Sequence, residues 1–220
     1  MSSPLRIAVL ASGRGSNFAA LLAARERGEL PVQFVLVASD KPDAAVLALA
    51  RTASVPTLVL NPRDYAERRD YDFALFDRIA ASKPDLIVLA GFMRIIDGDA
   101  LKPWAGKMIN IHPSLLPKYR GMHTHRRALK AGDTEHGASV HYVTAELDGG
   151  PVIAQSTLPI EAGDSEDALA AKLLPLEHRL LPSVVACIAA DRLALGDQGI
   201  TFDGELLRKP LRCVDGKLVR

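Results

Sequence analysis

The tripeptide Asn110-Ile111-His112 carries an amide and an imidazole two residues apart, and Pro113 closes the run. In a strand, side chains two residues apart share a face, so both groups would point the same way. The proline also holds His112 extended. An amide can donate to a developing oxyanion, and an imidazole moves protons near neutral pH. Far along the chain, Asp148 lies in the loop Glu146-Leu147-Asp148-Gly149-Gly150-Pro151. Its glycines let the backbone bend closely around a ligand, and a carboxylate against His112 would favour the imidazolium and raise its pKa. Each feature also has a plainer explanation. A strand-end Asn and His can simply satisfy loop backbone groups, and acid-Gly-Gly-Pro is a common turn.

A second stretch with chemical potential is Ser12-Gly13-Arg14-Gly15-Ser16-Asn17. Two glycines expose backbone N–H groups, and a helix N-terminus after them would favour an anion. Ser16 and Asn17 can cap that helix or donate to the anion. Phe18 stands where the dinucleotide fingerprint needs a third glycine, and no Gly-Lys-Ser/Thr follows, so this is not a P-loop. Two readings remain: a phosphate site for a mononucleotide-like ligand, and an ordinary strand-to-helix turn.

Five of the six histidines fall between positions 112 and 141. His123-Thr124-His125 has no Cys or Glu at a familiar zinc spacing, so no metal site is expected. Most of these rings are expected to serve hydrogen bonding and packing.

The elements that would position these groups alternate. Leu5–Ala11, Val32–Ser39, Thr57–Leu60, Asp85–Ala90 and Lys107–Ile111 read as strands. Segments at helical spacing separate them: from Phe18 to near Gly28, Ala44–Ala53 and most of Asp64–Ser82. Such alternation implies βαβ units and a mainly parallel sheet, with the Gly-rich turn at its usual phosphate position. The second half differs. Thr124–Ala131 is a helix candidate, and His136–Val143 with Val152–Pro159 suits an antiparallel pair, because the loop between them is too short for a crossover. Ser165–Ala190 is a long helix, kinked near Pro175 and Pro182, and Ile200–Leu207 is a small hairpin around Asp203-Gly204.

Composition narrows the function classes. The chain has 220 residues, 27 basic and 26 acidic, for a formal net charge of +1. That balance gives no electrostatic footprint for nucleic acid or an anionic membrane. Two cysteines make no disulfide framework, the apolar runs are too short to span a bilayer, and the N-terminus lacks a basic signal-peptide region. A cytoplasmic protein is expected, without nucleic acid or membrane partners.

Taken together, Asn110-Ile-His-Pro-Ser-Leu-Leu-Pro-Lys-Tyr119, Gly121, His123-Thr-His125, His136-Gly-Ala-Ser-Val-His141 and Asp148-Gly-Gly-Pro-Val-Ile153 resemble the folate-dependent formyltransferases. Ser12-Gly-x-Gly-Ser-Asn17, Ala90-Gly-Phe-Met-Arg-Ile95 and Gly163-Asp-Ser-Glu-Asp167 follow the same order, so the resemblance runs from Ile7 to Arg192. It implies an α/β fold with a Rossmann-like, mainly parallel sheet and an antiparallel C-terminal part. It also implies one formyltransferase domain over 1–220. Within it, about 1–105 would bind nucleotide, about 106–195 would bind folate and carry the catalysis, and 196–220 would form a C-terminal hairpin and tail.

The implied reaction is formyl transfer from 10-formyltetrahydrofolate, as cosubstrate, to the amine of phosphoribosylglycinamide. No metal is needed, and a monomer or homodimer would suffice. The matching catalytic group is Asn110, His112 and Asp148: Asn110 for the oxyanion, and a protonated His112 paired with Asp148. Gly15, Ser16 and Asn17 match the substrate phosphate loop, and Glu177 matches an acid on the ribose. Arg68, Met93, Arg94, Ile95, Ile96 and Asn110 match folate-binding positions. Arg120, Met122 and Pro175 depart from the usual pattern.

Overall fold

In the computed structural model, residues 3–220 are described. Contacts divide the chain into two units, Met1–Asn110 and Ile111–Arg220.

The first unit begins with β1 (Leu5–Leu10), α1 (Ser16–Glu26), β2 (Val32–Ser39), α2 (Ala45–Thr52) and β3 (Thr57–Val59). It continues with α3 (Arg68–Ala81), β4 (Leu86–Leu89), the single turn α4 (Gly98–Leu101) and β5 (Met108–His112), whose last two residues open the second unit. The strand order is β3-β2-β1-β4-β5, and the paired strands are parallel. Ile7, Ala8, Val9 and Leu10 on β1 are fully buried, as near-continuous apolar strands in a parallel sheet should be. On α3, Tyr71, Leu75 and Ile79 form the expected stripe, each fully buried. The strand order reverses direction between β1 and β4. At such a switch point the carboxyl ends of two strands diverge and leave a crevice.

The second unit adds α5 (Thr124–Ala131), β6 (Glu135–Tyr142), β7 (Val152–Pro159), α6 (Glu166–Ala189), β8 (Leu193–Gly196), β9 (Gly199–Phe202), β10 (Glu205–Leu206), β11 (Leu211–Val214) and β12 (Lys217–Val219). β6 and β7 pair antiparallel, as the short loop requires. β11 adds to β7 in parallel and β12 returns antiparallel. β8, β9 and β10 make a separate antiparallel sheet. Together, the elements form an α/β fold with a mainly parallel sheet and antiparallel additions in the C-terminal half.

Several expectations need correction. Helix does not run from Asp64: a 3-10 turn covers Pro62–Asp64, residues 65–67 are not helical, and α3 starts at Arg68. Ser16 and Asn17 do not cap α1. The cap position is Gly15, in the left-handed region at φ 78°, and no side chain bonds the helix start. The hairpin at Asp203-Gly204 forms with both turn residues at positive φ, but β8 makes it three-stranded. The final residues are not a tail, since β11 and β12 extend a sheet. The expected long helix, by contrast, is present as α6, with Pro175 and Pro182 inside it and the Ser165 hydroxyl accepting from the Ala168 amide at 3.1 Å at its start.

Candidate active site

β5 delivers His112 at its last position, with Pro113 ending the strand. Asn110, two residues earlier, is half-buried and His112 is buried. Two segments converge on the imidazole. Nε2 lies 3.0 Å from the Tyr119 carbonyl oxygen, and Nδ1 lies 3.4 Å from Oδ2 of Asp148. Asp148 Oδ2 also accepts the Gly121 amide at 2.8 Å, and Oδ1 lies 3.5 Å from Nε2 of His141. Tyr119 and Asp148 both have left-handed backbone, at φ 55° and 48°. Non-glycine residues enter that region at a cost, so the surrounding structure must hold both turns in place.

The glycines after Asp148 have a steric reason. A Cβ at Gly150 would lie 1.9 Å from the Tyr142 carbonyl oxygen, and one at Gly149 would meet the Glu146 side chain. Arg120 forms an exposed ion pair with Glu146, which links the Tyr119–Gly121 turn to the Asp148 loop.

Burial dominates the electrostatics of His112 and holds its imidazole below the ordinary value, against the Tyr119 carbonyl and Asp148, which favour the charged ring. The expected rise in its pKa is therefore corrected: Asp148 pulls upward, and desolvation pulls down further. Asp148 behaves oppositely. Burial pushes its carboxyl up, but the bond from His141, the Gly121 amide and the two nearby imidazoles together hold it at about 2. The pair is thus a buried carboxylate beside an imidazole that is neutral in the free protein.

In the first unit, the Gly-rich turn and the segment after β4 are tied together. The Ser12 amide donates to the Gly91 carbonyl, and the Ser12 hydroxyl accepts the Met93 amide, both at 2.9 Å. Gly15 is sterically required, because a Cβ there would lie 2.6 Å from Val46 Cγ2. Ser16 and Asn17 open α1. Met93 and Ile95 are exposed and Ile96 is buried. The Arg94 guanidinium stacks 4.6 Å over the Tyr71 ring. Arg68 is exposed at the start of α3, and Glu177 is half-buried on α6. His112 and Asp148 meet directly, and Asn110 shares the strand with His112.

Residues 5–185 match the family model described as formyl transferase. The chain belongs to the formyl transferase family. It is 45% identical over 203 residues to the phosphoribosylglycinamide formyltransferase of Escherichia coli, covering 92% of this chain and 96% of that one. Among solved structures, the phosphoribosylglycinamide formyltransferase of Coxiella burnetii aligns with a TM-score of 0.91 at 42% identity, over 95% of this chain and 99% of that one. The glycinamide ribonucleotide transformylase 1 of Symbiobacterium toebii gives 0.88 at 38% identity, over 92% and 95%.

In this formyl transferase chain, sequence reasoning missed three positioning groups. Ser12 bridges two strand ends. Asp72, buried on α3, accepts the Asp97 amide at 2.8 Å beyond the Met93–Ile96 segment. His141 contacts Asp148 from β6. The alternation of β6 placed His141 on one face with Ser139, but no local pattern ties it to a loop seven residues on. The other clustered rings include His125 and His136, whose Nδ1 and Nε2 lie 2.9 Å apart. Among the described residues, no three His, Cys, Asp or Glu side chains are grouped to hold a metal ion, and no helix is long and apolar enough to cross a membrane.

Proposed function

We infer that this chain is a phosphoribosylglycinamide formyltransferase of purine biosynthesis, and that its formyl donor is 10-formyltetrahydrofolate. Relatedness over most of the chain to bacterial enzymes of that name supports the activity. The folate donor and the residue roles rest on the family resemblance together with the site geometry.

In the proposed reaction the substrate amine attacks the formyl carbon. The formyl oxygen becomes an oxyanion, which the Asn110 amide stabilises by donation. Collapse expels the folate nitrogen, which takes up a proton while the amine loses one. The products are formylglycinamide ribonucleotide and tetrahydrofolate. His112 carries the positive charge that balances the oxyanion. Desolvation makes that charge hard to form in the free protein, and the same low dielectric strengthens its attraction to a developing anion. Both ring nitrogens already face protein acceptors. The ring therefore acts as a fixed charge, and direct proton delivery requires one of those two contacts to open.

Gly15, Ser16 and Asn17, at the N-terminus of α1, are assigned to the substrate phosphate, and Glu177 to its ribose. Met93, Ile95 and Ile96 are assigned to the pterin. Arg68 and Arg94 are assigned to the carboxylates of the folate tail, with Arg94 pre-oriented by Tyr71.

The observation that carries the site assignment is the buried His112–Asp148 contact at the carboxyl end of β5. The test mixes purified protein with 10-formyltetrahydrofolate and phosphoribosylglycinamide and follows tetrahydrofolate release. Release matching formylated product, and strongly reduced with the unphosphorylated riboside, is expected. No release from the folate donor overturns the donor assignment.

A further inference from the structure

The Asp148 carboxylate serves two rings, and the hydrogen-bond geometry around both fixes where protons can sit. A carbonyl oxygen only accepts. His112 Nε2 faces the Tyr119 carbonyl at 3.0 Å, so that nitrogen carries a hydrogen. His141 Nδ1 faces the Tyr142 carbonyl at 2.9 Å, so that nitrogen carries one too. In a neutral ring the other nitrogen is then a bare lone pair. Both remaining nitrogens, His112 Nδ1 and His141 Nε2, point at Asp148 oxygens. A lone pair against a carboxylate repels, and these contacts, at 3.4 and 3.5 Å, are the longer pair.

One added proton, on either ring, converts one repulsive contact into a charge-assisted hydrogen bond. It also leaves the buried group of three neutral overall: one carboxylate and one imidazolium. A second added proton would bury a net positive charge, which is costly. His141 is 2% exposed and His112 is 6% exposed, so water does not replace these partners.

We propose that His141 is a positioning residue for the reaction: it grips Asp148 through the carboxylate oxygen that His112 does not use, and the two imidazoles share a single proton across that carboxylate. The proposal rests on the formyl-transfer reading only in its assignment of His112. The proton sits either on His112 Nδ1, bonded to Oδ2, or on His141 Nε2, bonded to Oδ1. Asp148 stays ionised in both arrangements, in keeping with its depressed pKa of about 2. The charge needed opposite an oxyanion is thereby held within the site, and substrate binding has only to move it from His141 to His112.

Charged and titratable groups surround His112 on several sides. His112 feels Asp148, His141 and Arg127, and the His125–His136 pair on α5 and β6 lies close enough to feel His112. Among the groups acting on His112, Asp148 is the negative one, and it also lies against His141. Gly150 lies close to the same Tyr142 carbonyl that accepts the His141 Nδ1–H, since a Cβ there would fall 1.9 Å from that oxygen.

The test is a proton NMR titration of the histidine Cε1–H signals in the full chain without substrate, alongside turnover. In the wild type, the His112 signal is expected to titrate in two steps, as a group coupled to a second site across the carboxylate. In His141→Gln, His112 should titrate in one step at a higher midpoint, because a competing imidazole is gone while Asp148 remains. Turnover should fall about tenfold, with KM for both substrates changed less than about twofold, as for loss of a group that orients a ligand. An unchanged His112 midpoint in His141→Gln overturns the proposal, and so does independent one-step titration in the wild type. The wild-type measurement decides the matter if the variant does not fold. Failure of the formyl-transfer reading would appear separately, as absent turnover with the coupled titration intact.

Discussion

His112 Nδ1 lies 3.4 Å from Asp148 Oδ2, with the two side chains 8% and 9% exposed. At that burial desolvation works against a proton on His112, and the carboxylate, after the Tyr119 carbonyl, favours one. Asp148→Asn keeps the shape and removes the charge. The His112 titration midpoint should then fall below its wild-type position, and kcat should drop by about 10²–10⁴, as for loss of a positioned acid or base. NMR titration and steady-state kinetics check both, and an unmoved midpoint would contradict the assignment.

Gly150→Ala tests the loop that carries Asp148. The added Cβ would sit 1.9 Å from the Tyr142 carbonyl, so the Thr144–Pro151 loop must shift. A shift of about 1 Å at a reacting group can cost about 10²-fold. A loss of that order in kcat, with the near-UV spectrum of the core unchanged, is expected. Wild-type turnover would show that the loop backbone is not held by this contact.

Gly15→Ala addresses the turn before α1. Gly15 has φ 78°, and an added Cβ would meet Val46 at 2.6 Å. The left-handed penalty alone is about 1–2 kcal/mol, with the clash in addition. The turn should reshape, raising KM for phosphoribosylglycinamide well above any change in KM for the folate. Comparable effects on both substrates would remove the phosphate role from this turn.

His136 makes the fold acid-sensitive. It is 1% exposed, and burial together with neighbouring His125 lowers its pKa from 6.5 to about 4. A histidine depressed in the folded state stabilises the fold fully above the unfolded value, and that stability is lost as pH falls through the window from 6.5 to about 4. The loss amounts to about 3 kcal/mol at most. Urea unfolding across that window should show falling stability in the wild type and a flatter profile in His136→Gln. Equal slopes would contradict the burial argument.

Much of this architecture was legible because the signals were local. The bounds of β2, α5 and β7 follow directly from apolar runs and turn residues, and the loop between β6 and β7 is too short for anything but an antiparallel return. The meeting of His112 with Asp148 was legible through family resemblance, since nothing local joins residues 36 apart. What stayed hidden depends on distant partners. β11 and β12 are short, with four of their seven residues exposed, and pairing with β7 joins β11 to the larger sheet. The net direction of the His112 shift depends on its desolvation, which a neighbouring carboxylate in the sequence cannot reveal. His141 reads as an ordinary strand histidine until the loop folds back onto it.

The most direct measurement is the rate of formyl transfer in a single turnover by His112→Ala, with 10-formyltetrahydrofolate and phosphoribosylglycinamide saturating. A rate lower than wild type by about 10² or more, in a protein with unchanged unfolding midpoint, is the predicted result. Transfer at the wild-type rate would contradict the claim that this imidazole and its carboxylate carry the chemistry.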